Sequence, residues 1–398
     1  MSLRDRPLLV AGGGIGGLAV ALALARRGCR VRVLEQAAAF GEIGAGIQLA
    51  PNASRVLDAL GVLDHVLANA VFPDYAVMID ARDGKEITRI ALGEPFVRRY
   101  GYRYLVVHRQ DLLAALLAAC RRESAIELVT AKTVGAISQS DGGVAVSCAD
   151  GTLETGAALI GADGVWSGVR AQVVGDGAPR VSGHVCYRGT LPMAEIPDHS
   201  YANAMALWVG DGMHLVQYPV RRGELMNNVA VIDSPKFRRG EAAYGDWGEV
   251  EALFETALPR VRDMLGYMDR ERNWLLHDRD PVSNWTCGRV TLLGDAAHPT
   301  LQNMAQGACM AIEDAVCLAG RVAAAGADFN AAFLAYQKDR YLRTARVQVS
   351  ARFVAPMVHL GGGARDVRNA VLGTRSPESF HELEWLYRGP CGGPCGGP

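Results

Sequence analysis

Apolar residues follow two rhythms along this chain, and the switches between them predict its organisation. At the start, an apolar run over 8–11 reads as a buried strand, 18–27 as an apolar helix ended by Gly28, and 31–35 as a second strand. Together they make a βαβ unit. Asn52 is placed to cap a helix running to Leu60, with Gly61 as its stop. The stretch 102–107 predicts a strand, and 110–122 a helix with a leucine face. Short strands are expected around Ile126, Val134, Val144 and Leu159. Between Gly183 and Ile232 the period becomes two, and 185–191, 204–209, 214–220 and 225–232 read as successive strands of an antiparallel sheet. Helical spacing returns from about Glu249. A strand over 289–293 runs into Gly294-Asp295, and long helices follow from near Gln306 and over 330–359. The closing GPCGGPCGGP is a low-complexity tail with no means of building a core.

This order predicts an α/β chain of the α+β kind: a Rossmann-type nucleotide-binding domain with an inserted antiparallel-sheet substrate domain and C-terminal helices. The nucleotide-binding segments are expected at 1–75, 101–180 and 276–340, and the substrate domain at 76–100 and 181–275. C-terminal helices would fill 341–385, and the tail 386–398. Those helices could serve a homodimer, though ordinary packing explains them equally well.

Composition narrows the function classes. Forty-one basic against forty-two acidic residues, with 7% aromatics, argue against a nucleic-acid partner. Arg4 and Arg6 ahead of the apolar stretch 8–25 imitate a secretion signal, but Gly12, Gly13, Gly14, Gly16 and Gly17 crowd it. Strand, turn and helix explain the same residues better. No other stretch is apolar for the ~20 residues of a membrane span, so a soluble, cytoplasmic protein is expected. Nine cysteines at irregular spacings, with Cys391 and Cys395 lacking a second pair or nearby histidines, predict no metal site. The others read as small apolar residues buried in a reducing compartment.

The chemistry begins in AGGGIGGLAV, where Gly12, Gly14 and Gly17 stand in GxGxxG spacing around Ile15. Gly12 permits a tight turn, Gly14 lets backbone approach a pyrophosphate, and Gly17 allows close helix–strand packing. The helix start then offers free N–H groups to phosphate. Glu35, some 20 residues on, is placed to accept hydrogen bonds from a ribose. These residues imply a dinucleotide and leave NAD and FAD both open.

Two later motifs bear on that choice. Asp163-Gly164, with Ser167 and Arg170 behind it, follows a buried strand, and Gly294-Asp295 in LLGDAAH ends another. The order GxGxxG, DG, GD resembles the flavoprotein aromatic hydroxylases, single-component FAD monooxygenases with a para-hydroxybenzoate-hydroxylase-like fold. The resemblance spans nearly the whole chain apart from the tail. It implies one bound FAD, NADH or NADPH and O2 as co-substrates, and oxygen transfer from a C4a-hydroperoxyflavin to a small phenolic acid. Asp295 would bond the ribityl chain, Asp163 and Gly164 would lie by the pyrophosphate and the transient nicotinamide nucleotide, and Arg109 in VHRQDL would face the FAD phosphates. Gln48, in GAGIQ, would line the flavin, and the helix opening at Gly307 and Ala308 would aim its positive end at the reduced ring.

On the substrate side, alternation puts His214, Val216 and Tyr218 on one face of a strand. A phenol of pKa about 10 and an imidazole of about 6.5 differ by roughly 5 kcal/mol, so a histidine could assist but not complete the deprotonation unaided. HLVQYPVRRGE, together with Leu301-Gln302 and the later AIEDA, resembles the 3-hydroxybenzoate-hydroxylating subgroup. That likeness implies His214 as base and Gln302 as its partner on the substrate hydroxyl, with gentisate as product. Tyr104, Tyr218 and Arg188 are the expected substrate contacts, Tyr104 or Arg188 taking the carboxylate. Salicylate and 6-hydroxynicotinate hydroxylation on the same scaffold, and a flavin-binding sensor without turnover, are the alternatives. Product identity separates the first two, and substrate-stimulated NADH oxidation excludes the sensor. A plain NAD dehydrogenase would leave the DG and GD motifs unexplained.

Overall fold

A computed structural model describes residues 6–41, 46–196 and 200–389. Arg4, Gly44, Ala45, Cys391 and Cys395 lie outside the described residues.

The chain's first strand, Leu8–Ala11, is buried along its whole length because it sits inside a six-stranded sheet. Its neighbours are Ala158–Gly161 on one side and Val31–Leu34 on the other, both parallel. Val290–Leu292 and Thr286–Cys287 extend one edge, and Ile126–Val129 the other. The helix Ile15–Ala25 is apolar nearly all round, as expected of one packed between this sheet and the helix Gly307–Ala325. It starts three residues earlier than expected, taking Gly16 and Gly17 into its first turn. A Cβ at Gly17 would lie 1.9 Å from the Gly12 carbonyl oxygen, so the glycine is needed inside the helix rather than before it.

Three other expectations are corrected. Asn52 does not cap its helix: Ala50 is the cap residue, Pro51 takes the first turn of Pro51–Ala59, and Asn52 is buried. Its amide instead donates to Gln306 Oε1 (3.0 Å) and Glu313 Oε1 (2.7 Å). The strand expected over 102–107 is Leu105–His108, antiparallel to Gly46–Leu49. Cys287 is exposed and Cys29 half-buried, so only Cys120, Cys148, Cys186, Cys309 and Cys317 fit the buried class among the described residues.

The second large sheet has seven strands in the order Asn273–Asp278, Arg180–Pro192, Leu225–Asp233, Met213–Val220, Ala204–Gly210, Tyr75–Asp80 and Glu86–Ala91. The first and the last two are not among the strands expected from the sequence. Tyr75–Asp80 pairs parallel with Ala204–Gly210, so the sheet is mixed rather than wholly antiparallel. Register fixes which side chains share a row: Arg188 stands beside Val229, Val229 beside Val216, Val216 beside Leu207 and Leu207 beside Met78. All five line one cavity.

The 30-residue helix Phe329–Val358, about 45 Å long, joins the two halves. Near its start it packs on the edge of the six-stranded sheet, and at its end Val358 packs with Val209 of the seven-stranded one. Among the described residues no helix is long and apolar enough to cross a membrane.

Candidate active site

Turns beyond the strand ends of the six-stranded sheet and one face of the seven-stranded sheet line a cavity of about 670 Å³, within the range of cofactor and small-molecule sites. On the six-stranded side, Gly12 turns the chain at φ +103°, where a Cβ would come within 2.4 Å of the Ala162 carbonyl oxygen. The helix beyond it has Gly14 as cap residue and no side-chain cap, leaving its first N–H groups to meet a ligand. Glu35 accepts from the Gly13 N–H (2.7 Å) and the Ala37 N–H (2.8 Å), which braces the glycine loop. Asp163 turns its carboxylate away, accepting from Ser167 Oγ (2.5 Å) and the Val169 N–H (3.1 Å) at the start of the helix Gly168–Val173. Gly164, at φ +80° with nothing within 4 Å of a Cβ, faces the opening. Arg170 is fully buried and donates to the carbonyls of Ala296 (3.0 Å) and Ala297 (2.6 Å). It therefore staples the DG turn to the GD turn.

Asp295 opens into the cavity with protein around it, and it has no hydrogen-bond partner among the described residues. Burial raises its pKa, partly offset by the charges of Arg109 and His298. Behind it lies a lattice of buried charge. Asp314 accepts from the Gly294 N–H (3.1 Å), His298 Nε2 (2.6 Å) and Arg340 Nε (2.6 Å). Glu313 accepts from Arg340, Arg343 and Asn52. Against the upward push of burial, His298 and Arg340 hold the Asp314 carboxyl far below the ordinary carboxylate range. This lattice fixes the start of the helix Gly307–Ala325, which has no side-chain cap and sends Gly307 and Ala308 to the cavity. Ala305 just before it is held at φ +51°, a left-handed conformation unusual for alanine.

On the other wall, His214, Val216 and Tyr218 line the cavity together. His214 Nδ1 lies 2.7 Å from His359 Nε2, and its Nε2 has no hydrogen-bond partner among the described residues. Burial, then the charge of His184, lowers the His214 pKa to about 3. The imidazole is thus neutral at ordinary pH. Full proton transfer from a phenol would now cost roughly 10 kcal/mol, twice what an unperturbed histidine implies. The Gln302 side chain also lines the cavity without a hydrogen bond to the described residues. Tyr104 donates to Gln48 Oε1 (2.6 Å). Arg188 lies over Trp274 at 5.2 Å and has no carboxylate partner among the described residues. A Cβ at Gly46 would lie 2.3 Å from the Tyr218 ring, so the start of the strand Gly46–Leu49 approaches the seven-stranded sheet as closely as backbone allows.

Of the residues singled out from sequence, Gly14, Ile15, Gln48, Tyr104, Arg109, Gly164, Arg188, His214, Tyr218, Asp295, Gln302, Gly307 and Ala308 line this cavity. Gly12, Gly17, Glu35 and Asp163 are not among its lining residues. Sequence reasoning missed Tyr387, which lines it, and His359, Asn52, Asp314 and Arg340, which support it. Only the AIEDA run carried a hint of the last group: two adjacent acids inside an apolar helix require buried cations.

The residues present fit FAD. They offer a helix N-terminus free for pyrophosphate, an acid without a protein donor for ribityl hydroxyls, and a second free helix N-terminus for the reduced ring. A family model for an FAD-binding domain matches residues 5–350. The chain is 46% identical over 384 residues to the 3-hydroxybenzoate 6-hydroxylase of Polaromonas naphthalenivorans (strain CJ2), covering 96% of each. It is 42% identical to 3-hydroxybenzoate 6-hydroxylase 1 of Aquipseudomonas alcaligenes, over 96% of this chain and 97% of that one. Among solved structures, Klebsiella pneumoniae HpxO complexed with FAD and uric acid superposes with a TM-score of 0.85 at 27% identity, over 98% and 99% of the two chains.

Proposed function

The chain belongs to the FAD-binding flavoprotein aromatic hydroxylases, and from that footing we propose that it is a 3-hydroxybenzoate 6-hydroxylase using NADH and O2. The reaction is 3-hydroxybenzoate + NADH + H⁺ + O2 → 2,5-dihydroxybenzoate + NAD⁺ + H2O. The observation that carries it is one cavity in which His214 Nε2 and the Gln302 amide have no hydrogen-bond partner among the described residues and Arg188, held by Cys186 Sγ and Trp274, has no carboxylate there.

FAD, once bound and reduced, supplies the electrophilic oxygen; the chain's own residues prepare the ring to receive it. His214 accepts the phenolic O–H through Nε2, and Gln302 holds the same oxygen. As negative charge moves into the ring, the position para to the hydroxyl becomes the nucleophile, and the hydrogen bond to His214 strengthens in the transition state. Arg188 takes the carboxylate in preference to Tyr104, whose hydroxyl is engaged with Gln48. The free start of the helix Gly307–Ala325 favours negative charge beside it. The apolar row Val229, Val216, Leu207 and Met78 keeps water from the ring.

The test is a panel of hydroxylated benzoates and 6-hydroxynicotinate, with NADH oxidation and product chromatography run together. Gentisate from 3-hydroxybenzoate, at near one per NADH, is expected. Hydrogen peroxide without gentisate, or a better-coupled product from salicylate or 6-hydroxynicotinate, sinks the substrate assignment.

A further inference from the structure

The edge strand Asn273–Asp278 forms part of the cavity wall and then runs out of it, with Leu276 and His277 lining the cavity. Trp274, two residues from Leu276, packs on the same small apolar cluster as Leu276, Val216 and Val229. Its half-buried ring therefore continues the cavity wall toward solvent. Trp274 pairs with Cys186, and the ladder ends one pair further on, at Tyr187 with Asn273. The next residue on each strand is an arginine. The Arg188 guanidinium lies 5.2 Å from the centre of the Trp274 ring, and that of Arg272 lies 5.1 Å from it. Arg188 lines the cavity, whereas Arg272 is exposed.

Two like charges facing each other at a sheet edge are unfavourable, and the nearby acids do not answer them. The Asp269 carboxylate accepts from the Glu271 N–H (3.1 Å), and neither arginine has a carboxylate partner among the described residues. Arg270 serves the opposite face of the sheet, lying 4.9 Å from the Trp247 ring. Arg188 donates its Nε to Cys186 Sγ (3.4 Å), which leaves its terminal nitrogens to a ligand. The indole steadies both guanidiniums without neutralising either. What the arrangement lacks is an anion.

We propose that Arg272, Trp274 and Arg188 form an entry subsite for the aromatic carboxylate. Arg272 collects the anion from solvent, the ring passes along Trp274 and Leu276, and Arg188 takes over the carboxylate as the ring enters the cavity. This rests on the reading that Arg188 holds the substrate carboxylate. No bond is made or broken on the way. Arg272 acts on arrival and not on chemistry, so its contribution is to the association rate and is screened by salt.

The test mixes oxidised, FAD-loaded enzyme with 3-hydroxybenzoate in a stopped-flow instrument without NADH, following flavin absorbance at ionic strengths of about 10 mM and about 300 mM. Association with the parent should slow about fivefold between the two. Arg272→Gln should bind about three- to tenfold more slowly at low salt and lose the salt dependence, with kcat within about twofold. Arg272→Lys should restore most of the rate. Trp274→Leu should slow binding about threefold at both salt levels. 3-Hydroxybenzamide, which has the ring without the charge, should bind the parent and Arg272→Gln at equal rates. Unchanged association in Arg272→Gln overturns the subsite, and so does an equal loss for the amide. A change confined to KM for NADH also overturns it, by giving the arginines to the phosphates of the nicotinamide nucleotide. Parent enzyme that binds 3-hydroxybenzoate but makes no gentisate fails the substrate assignment alone, because association is read before any turnover.

Discussion

The lattice behind Asp295 and the sheet wall carrying His214 are both buried and polar, yet they treat their polar groups in opposite ways. In the lattice every charge answers another: Asp314 meets Arg340 and His298, and Glu313 meets Arg340 and Arg343. On the wall, His214 Nε2, Gln302 and Arg188 face the cavity without such partners. A satisfied network holds one geometry and contributes to stability and cofactor position. An unsatisfied one carries a desolvation cost that a ligand removes on binding. The contrast predicts that mutations in the lattice are felt in unfolding, and mutations in the wall in turnover.

The largest effect should come from Arg340→Met. It strands Glu313 and Asp314 in the interior, at a cost of about 3–5 kcal/mol, read by denaturant unfolding of the FAD-loaded protein. A loss below about 1 kcal/mol would mean that the lattice is far wetter than its burial implies. His214→Ala should leave FAD bound while gentisate formation falls about 100-fold or more, with NADH oxidation diverted to peroxide. Unchanged coupling removes His214 from the reaction. Arg188→Met should raise KM for the aromatic acid about 10- to 100-fold, an interaction of about 1.5–3 kcal/mol, with little change in unfolding. A change in kcat alone would place the carboxylate elsewhere, with Tyr104 the next candidate.

The last contrast is a separation in pH. His214 and His359 have folded pKa values below the unfolded one, so the unfolded chain binds more protons once pH falls under about 6.5. Stability should then decline as pH drops, by about 1.4 kcal/mol per unit for each such histidine, down to about 3 for His214. Asp314 is depressed instead. Its contribution is intact above about 4, the unfolded value, and is lost only below that. His214→Gln should therefore flatten the slope between pH 6 and pH 4 and leave the acid limb unchanged. A single acid limb in the parent protein would show that the wall histidines are not held neutral.

How much of this was legible in the sequence depends on distance along the chain. The glycine loop, its helix and its two strands declare themselves within some 30 residues, because the glycine spacing is itself local, even though the neighbour that excludes a Cβ at Gly12 is the distant Ala162 carbonyl. The strands from Arg180–Pro192 to Leu225–Asp233 show their alternation directly. Tyr75–Asp80 does not, because it is a short segment that becomes a strand by pairing with Ala204–Gly210, far along the chain. Asn52 looks like a helix cap by residue type, but Pro51 and Ala50 already open that helix, and the amide answers to Glu313 across the fold. His359 gave no signal at all. A histidine after a helix is an ordinary sight, and its meaning lies in a partner 145 residues earlier. Local chemistry was readable, while support from distant segments appeared only once the chain was folded.

The strand order of the six-stranded sheet has a consequence for how the protein is made. Leu9 pairs with Leu159, and Leu159 with Val290, so the strand leading into the glycine loop waits on chain that leaves the ribosome much later. Until residue 292 has been synthesised, Ala158–Gly161 has an open edge and the acid at 295 does not exist. The nascent chain therefore carries apolar strand edges through most of its translation, a period of exposure to aggregation during which chaperones have their opportunity. Flavin loading can only be a late event, and cells short of FAD should accumulate finished chains rather than stalled ones.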